Sequence, residues 1–214
     1  MPIVIDALLT GRIMPFARGE SSAIDKRVVE GPVTIGFFGI VGDQQADSRY
    51  HGGVGKALHH YPRDHYEHWA KALPDQPLLS NAGAFGENIS TSGLVETHVC
   101  IGDRFRAGSA IIEVSQGRQP CWKQGVRLEW SALPAQMVKE RRSGWYYRVI
   151  EPGSVQAGQD IELLDRPLPE WSVARVFGLL IAGDHKHDKV ALTELAAMDL
   201  LDISWRNRAR ELVQ

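Results

Sequence analysis

Cysteine is scarce in this sequence: two in 214 residues, Cys100 and Cys121. That scarcity excludes a disulfide-built scaffold and a cysteine-rich zinc or iron–sulfur cluster. Charge of neither sign dominates, since 24 Lys and Arg stand against 26 Asp and Glu for a formal net charge of −2. So balanced a chain offers no basic footprint for a nucleic-acid backbone, and nucleic-acid binding is not expected. No apolar run approaches the roughly 18 residues that a membrane helix needs, so no membrane association is expected. The N-terminal segment from Met1 to Thr10 is apolar but lacks a cationic start and a cleavage pattern, and no secretory signal is read there. These absences point to a cytoplasmic protein in a reducing compartment, where the two cysteines stay unpaired. Also missing are a His-Glu-x-x-His motif, a Cys-x-x-Cys motif, the Lys-Ser/Thr spacing of a phosphate loop and any flavin fingerprint. No internal repeat or low-complexity tract is present.

What is present is ample material for a core, with 43% hydrophobic and 23% charged residues. Ile3-Val4-Ile5, Arg27-Val28-Val29, Val33-Thr34-Ile35 and Phe37 to Asp43 are short β-branched or glycine-punctuated runs that suit a barrel or sandwich. From Tyr61 the period changes: Pro62 in a first turn, then Tyr66, Trp69, Ala70 and Leu73, predicts an amphipathic helix ending at Pro74. Strands are expected again at His98–Ile101, Arg104–Arg106 and Ala110–Val114, with glycine turns between them. A short helix is expected over Ala132–Arg141 and further strands over 145–164. Pro167-Leu168-Pro169 marks a boundary, beyond which Ser172–Ile181, Thr193–Leu200 and Ser204–Val213 each start on an N-cap residue and carry helical spacing. The fold class is α+β, mainly β: a β-rich body over 1–166 and a three-helix extension over 167–214.

Cys121 is the residue with most to say about chemistry. It ends the run Arg118-Gln119-Pro120-Cys121 and precedes Trp122-Lys123, so two cations flank it in a turn after a strand. Nearby positive charge favours the thiolate, which attacks electrophiles or binds soft metals. The plain alternative is a small buried hydrophobe, the usual state of a free cysteine and the expected one for Cys100. As a functional group, Cys121 is open to three chemistries: a thiol hydrolase drafting His51 and Asn88, a redox thiol, or a lone ligand to a metal that brings most of its own ligands. The polar, glycine-rich run from Gly42-Asp43-Gln44-Gln45-Ala46-Asp47 to His51-Gly52-Gly53-Val54-Gly55-Lys56 reads first as a series of structural turns, with a backbone that approaches a ligand and holds an anion on its amides as the alternative. Asn88, in Phe85-Gly86-Glu87-Asn88-Ile89, has donor and acceptor capacity suited to a heterocycle's edge, or simply closes a turn. His65 and His68 share a helix face, but without matching ligands they read as solvated surface. The His185-Lys186-His187 loop reads as a solvated turn.

Three of these runs, Phe85-Gly86-Glu87-Asn88-Ile89, Ile101-Gly102-Asp103 and Arg118-Gln119-Pro120-Cys121, resemble the MOSC family, named for the C-terminal domain of molybdenum cofactor sulfurase. The stretches Gly42-Asp43-Gln44-Gln45, His51-Gly52-Gly53 and Ala57 to Tyr66, with the helical tail, are similar to its YiiM-like branch, linked to resistance to 6-N-hydroxylaminopurine. The resemblance implies a distorted β-barrel that binds the molybdenum cofactor, with Cys121 as the protein's ligand to the metal and molybdopterin supplying two further sulfurs. It implies reduction of N-hydroxylated small molecules, such as hydroxylaminopurines and amidoximes, from N–OH to N–H with release of water. Electrons would come from a separate flavin or iron–sulfur protein, and no pyridoxal phosphate would be required. Asn88 matches the cofactor-contacting Asn, with Glu87 and Gly86 beside it, although amidoxime-reducing relatives have arginine where Gly86 stands. Arg118, Lys26, Lys56 and Ser22 are the candidates for the cofactor's phosphate on charge grounds. His51 with Gly52 and Gly53 is a candidate for the pterin or the metal's open face, and His51 or His59 for proton donation. The alternatives are a molybdopterin or sulfur carrier without turnover of its own, and a cofactor-free thiol enzyme.

Overall fold

The computed structural model describes residues 2–47 and 52–214. Seven strands close into a barrel in the order β1 (Ile3–Gly11), β13 (Asp160–Asp165), β9 (Arg104–Ala107), β10 (Ala110–Gly117), β11 (Trp145–Glu151), β7 (Leu58–Pro62) and β8 (Ile89–Thr91), which returns to β1. Closure comes from Ile3 and Val4 of β1 pairing antiparallel with Ile161 and Asp160 of β13. A closed barrel leaves no edge ladder along these seven strands, except where β4 (Lys26–Val28) adds to the far end of β1. All neighbours in the barrel are antiparallel but β7 and β8, which run parallel from His60↔Ile89 to Pro62↔Thr91. Two small sheets flank it: β2 (Met14–Pro15) with β3 (Ser21–Ser22), and β12 (Gly153–Val155) with β5 (Val33–Gly36) and β6 (Gly39–Ile40).

Two apolar clusters organise the packing. The larger fills the barrel with Ile5, Leu8, Leu58, Ile112, Val114 and Tyr147, and continues without a break into Val176, Phe177, Leu192 and Trp205 of the C-terminal helices. The smaller joins Tyr61, Tyr66, Trp69, Phe85, Leu128 and Met137. It packs α1 (Asp64–Ala72), α2 (Trp122–Arg127) and α3 (Leu133–Glu140) against the turn that leads into β8. In that cluster the Tyr61 and Phe85 rings stack 4.0 Å apart, and the Trp69 indole N–H donates to the Tyr61 hydroxyl at 2.6 Å. Aromatic pairs of this kind add to the area term and fix the direction of the turn.

The hairpin of β9 and β10, with Gly108 at its bend, lies where the alternation places it. Four boundaries differ from expectation. Pro62 does not open α1; it completes the β7 ladder, and the helix begins at Asp64. His98–Ile101 is not a strand, because the Asp103 carboxylate accepts from the Cys100 N–H at 2.8 Å and turns the chain there. The tail helices are α4 (Val173–Leu180), α5 (Lys189–Ala197) and α6 (Ile203–Val213), capped by Ser172, Asp188 and Asp202. Asp188 accepts from the Ala191 N–H and starts its helix earlier than Thr193, whose hydroxyl instead bonds the Lys189 carbonyl inside the helix. The short helix α2, directly after Cys121, has too few residues to show a period in the sequence.

Candidate functional site

β10 ends at Gly117, and the chain leaves the barrel through Arg118-Gln119-Pro120 to reach Cys121 at the start of α2. The Arg118 N–H donates to the Gly144 carbonyl at 3.0 Å, which ties this exit to the approach of β11. One side chain then organises the loop. The Gln124 amide oxygen accepts from the Arg118 guanidinium and from the Cys121 N–H, and its NH2 donates to the Phe85 carbonyl at 3.4 Å. Arg118 is 4% exposed, and its other terminal nitrogen lies 3.6 Å from the Cys121 sulfur. Burial works against the guanidinium charge, but Cys121 and Tyr146 beside it outweigh that and raise its pKa. Cys121 itself is half-buried, with access to solvent on one side.

Cys121 stands where two clefts meet. The inner one holds about 80 Å³, and its lining includes Lys26, His59, Asn88, Arg118 and Lys123. The outer one, broader at about 630 Å³ and open, is bordered by the Cys121 loop and by α6. Lys56, Lys123, Tyr146 and Cys121 border both.

Of the candidates read from the sequence, Cys121, Arg118, Lys26, Lys56, Ser22, Asn88 and His59 all line the inner cleft. His51 lies outside the described residues. Gly52 and Gly53 are described but line neither cleft. Glu87 is fully buried behind the wall, where its carboxylate accepts from the Gly83 N–H (2.6 Å), the Phe85 N–H (3.1 Å) and the Tyr66 hydroxyl. Its place is to hold the turn rather than to face the cleft. Gly86 does face the cleft with a φ of +78°, and a Cβ there would stand 2.8 Å from Ile24 Cγ1. That backbone explains a glycine at this position and leaves the positive charge to other residues.

The Asn88 amide is engaged at both ends within the protein. Its oxygen accepts from the His59 N–H at 3.1 Å, and its NH2 donates to the Leu9 carbonyl at 3.1 Å and to Asp43 at 2.8 Å. Asn88 therefore joins β7, β1 and the loop after β6. Asp43 also holds the Lys26 ammonium at 2.5 Å in a buried pair. Burial lowers the Lys26 pKa, and the Asp43 charge opposes that. Burial likewise lowers Lys56, against the pull of Asp202 and Asp47.

His59 is 4% exposed, and its Nε2 has no hydrogen-bond partner among the described residues; the same is true of the buried Arg118 Nε. Burial, reinforced by the Arg118 charge, pushes His59 well below the usual histidine range. Its ring is thus neutral at neutral pH, so any proton it delivers there comes from the neutral N–H and not from an imidazolium.

Two residues that shape the site, Gln124 and Tyr146, carry no local signal in the sequence, and the stretch Gln44–Asp47 reads first as something else. The last of these reads as structural turns but lines the inner cleft. Tyr146 sits on β11 with its ring 5.2 Å from that of His59, and burial raises its phenol pKa while Arg118 opposes. His65 is not solvated surface. It is buried, its Nε2 lies 2.7 Å from Glu96, and the other Glu96 oxygen accepts from the Ser143 and Gly144 N–H groups. His68 is partly exposed and pairs with Glu140. Cys100 is buried, as expected, and both cysteines are free thiols.

The site's donors suit an anionic group that brings its own soft metal. Two buried polar nitrogens, His59 Nε2 and Arg118 Nε, lack hydrogen-bond partners among the described residues, and the thiol stands against a guanidinium. Among the described residues no group of three or more His, Cys, Asp or Glu comes together to bind a bare ion. A metal at Cys121 would draw its remaining ligands from a larger molecule.

Comparison with known proteins places these features in context. A model of the MOSC domain matches residues 47–162. Protein YiiM of Escherichia coli is 45% identical over 157 residues, covering 73% of this chain and 70% of the relative. A protein named reductase from Gibberella moniliformis is 38% identical over 208 residues, 95% of this chain but only 37% of that longer protein. The crystal structure of YiiM from Geobacillus stearothermophilus superposes with a TM-score of 0.82 over the full length of both chains at 29% identity. That of YiiM from Escherichia coli superposes at 0.81 over all of this chain and 92% of the other, at 32% identity. Among the described residues no helix is long and apolar enough to cross a membrane.

Proposed function

The chain belongs to the MOSC domain family, in its YiiM-like branch, and from that premise we propose that it is a molybdenum-cofactor-dependent reductase of N-hydroxylated compounds. The observation that carries the reading is the half-buried Cys121 thiol, 3.6 Å from a buried guanidinium, at the head of a cleft lined by Lys26, Lys56 and Lys123. A thiolate is the protein ligand that a soft metal selects, and the cations suit an anionic cofactor. When bound, the cofactor supplies the two electrons that cleave the N–O bond. The balance is one N–OH group, two electrons and two protons giving one N–H group and one water, with electrons returned by a separate flavin or iron–sulfur protein.

The chain's own residues do the rest. Cys121 holds the metal. Arg118 beside that sulfur favours its thiolate form, and the Arg118 Nε, without a hydrogen-bond partner among the described residues, is left to bind the cofactor. Lys26, anchored by Asp43, and Lys56 balance the cofactor's negative charge. His59 presents a neutral ring in the lining of the inner cleft. The reductase name of one relative supports the redox reading.

Protein purified from cofactor-competent cells should carry about one molybdenum per chain, the stoichiometry of a single thiolate ligand. It should also reduce a hydroxylaminopurine or an amidoxime with an artificial electron donor. Cys121→Ala should lose both metal and activity, and metal retained by that variant would overturn the reading. Bound cofactor with no turnover in the wild type would make the protein a carrier instead.

A further inference from the structure

The family match ends at residue 162, yet the outer cleft that opens onto Cys121 is completed by α6, which starts at Ile203. We propose that α6 is the substrate-selecting wall of this site, and that the Glu211 carboxylate discriminates among N-hydroxylated compounds by the charge of their non-reacting part. The proposal rests on the reductase reading for what is bound, and adds where and by what it is selected.

The wall is built rigidly onto the strand that carries the thiol's loop. The Asp202 N–H donates to the Ser115 carbonyl of β10 at 2.9 Å. Trp205 is 4% exposed, lies 6.2 Å ring to ring from Phe177, and crowds Gly117 so closely that a Cβ there would meet its ring at 2.8 Å. The Gln116 side chain completes the joint, with its NH2 towards Asp202 (3.0 Å) and Ser204 (3.2 Å) and its oxygen towards the Trp205 indole N–H (3.3 Å). Three consecutive residues of β10 thus fix the start of α6, immediately before the chain leaves for Arg118 and Cys121. Binding groups held on a locked element discriminate better than groups on a loop.

The charges of the outer cleft differ in how far they are committed. Lys123 pairs with Glu20 at 3.2 Å, and Lys56 feels Asp47 and Asp202. Arg208 donates its Nε–H to the Leu180 carbonyl. Glu211 is exposed on the same wall and makes no ion pair or hydrogen bond with any described residue. A carboxylate so placed attracts a cationic or donor-rich substituent and repels an anionic one, while the basic inner cleft behind Cys121 is set aside for the cofactor. Glu211 lines the outer cleft and not the inner one, so its replacement leaves cofactor loading intact.

The test measures binding and turnover together, using protein from cofactor-competent cells. The probes are two benzamidoximes of similar size, one bearing a ring trimethylammonium group and the other a ring carboxylate. The wild type should bind the cation more tightly by isothermal titration. Glu211→Gln should cut that preference about two- to fivefold, the scale of one exposed charge pair, and Glu211→Lys should cut it further, both effects shrinking in high salt. Molybdenum content and circular dichroism should match the wild type. An unchanged preference in both variants, in protein that still turns substrate over, overturns the wall assignment alone. A preference that shifts as stated in protein with no turnover upholds the wall and overturns the reductase reading.

Discussion

The Arg118 guanidinium stands 3.6 Å from the Cys121 sulfur, and the Gln124 amide holds both residues in place. Opposite charge at that distance favours the ionised thiol. Arg118→Met should therefore slow alkylation of Cys121 by iodoacetamide at neutral pH by about tenfold, the effect of losing one close counter-charge. Cys100 is the internal control: burial, more than the nearby Asp103, raises its pKa, and it should stay unreactive in both proteins. The check is labelling followed by peptide mass spectrometry, and equal rates at Cys121 would refute the coupling.

The Lys26–Asp43 pair is buried, so breaking it leaves a charge without compensation. Asp43→Ala should destabilise the fold by about 3–5 kcal/mol, the range for an orphaned buried partner. Removing both charges, in Lys26→Met with Asp43→Ala, should recover part of that loss. Lys26 has a lowered pKa, so the folded state gives up its proton at lower pH than the unfolded chain. In Asp43→Ala stability should accordingly recover as pH rises through that window and towards 10.5, which urea titrations across alkaline pH would read.

His60 predicts an acid-side slope. Its ring is fully buried between Tyr147 (3.0 Å) and Thr91 (2.9 Å), stacked 4.3 Å from Trp145, and burial pushes its pKa down to about 3. Between that value and 6.5 the unfolded chain binds a proton that the folded chain does not, so stability falls as pH falls through this range. The slope from one such group is about 1 kcal/mol per pH unit. His60→Gln should flatten the pH dependence of the unfolding free energy by that amount below pH 6.5, and an unaltered slope would contradict it.

Glu96 supports the site at one remove. It accepts from the Ser143 and Gly144 N–H groups and from His65, and the Gly144 carbonyl in turn receives the Arg118 N–H. Glu96→Ala strips three buried donors of their acceptor and should cost about 3 kcal/mol or more. It should also slow Cys121 alkylation by letting Arg118 drift. Glu96→Gln retains the acceptor for both backbone groups and should restore most of the stability and the labelling rate, which a purely electrostatic role would not allow.

Legibility in the sequence followed the range of the interactions. The hairpin across Gly108 and the stripe Tyr66, Trp69, Leu73 were readable because period and turn chemistry are local properties. The cations around Cys121 were readable because Arg118 and Lys123 are its near neighbours in the chain. Tyr146 and Gln124 were not: nothing local separates a core tyrosine or a helical glutamine from one that borders a thiol. His65 read as surface because its partner, Glu96, lies on another segment. The run Gln44–Asp47 read as turns, but the residue before it, Asp43, is tied to the distant Lys26 and Asn88, and that makes the run a wall of the cleft.

The sequence by itself determined most of the elements, the thiol with its two neighbouring cations, and through its ordered motifs the MOSC family. Those follow from residue type and spacing over a few positions. Tertiary structure alone decided that β13 closes on β1, that Glu87 backs the wall while Asn88 and His59 face it, and that α6 lies over the thiol. Each of these depends on packing between segments far apart in the chain. Their free energy comes from burial and hydrogen bonds formed together, and no single stretch of sequence carries it.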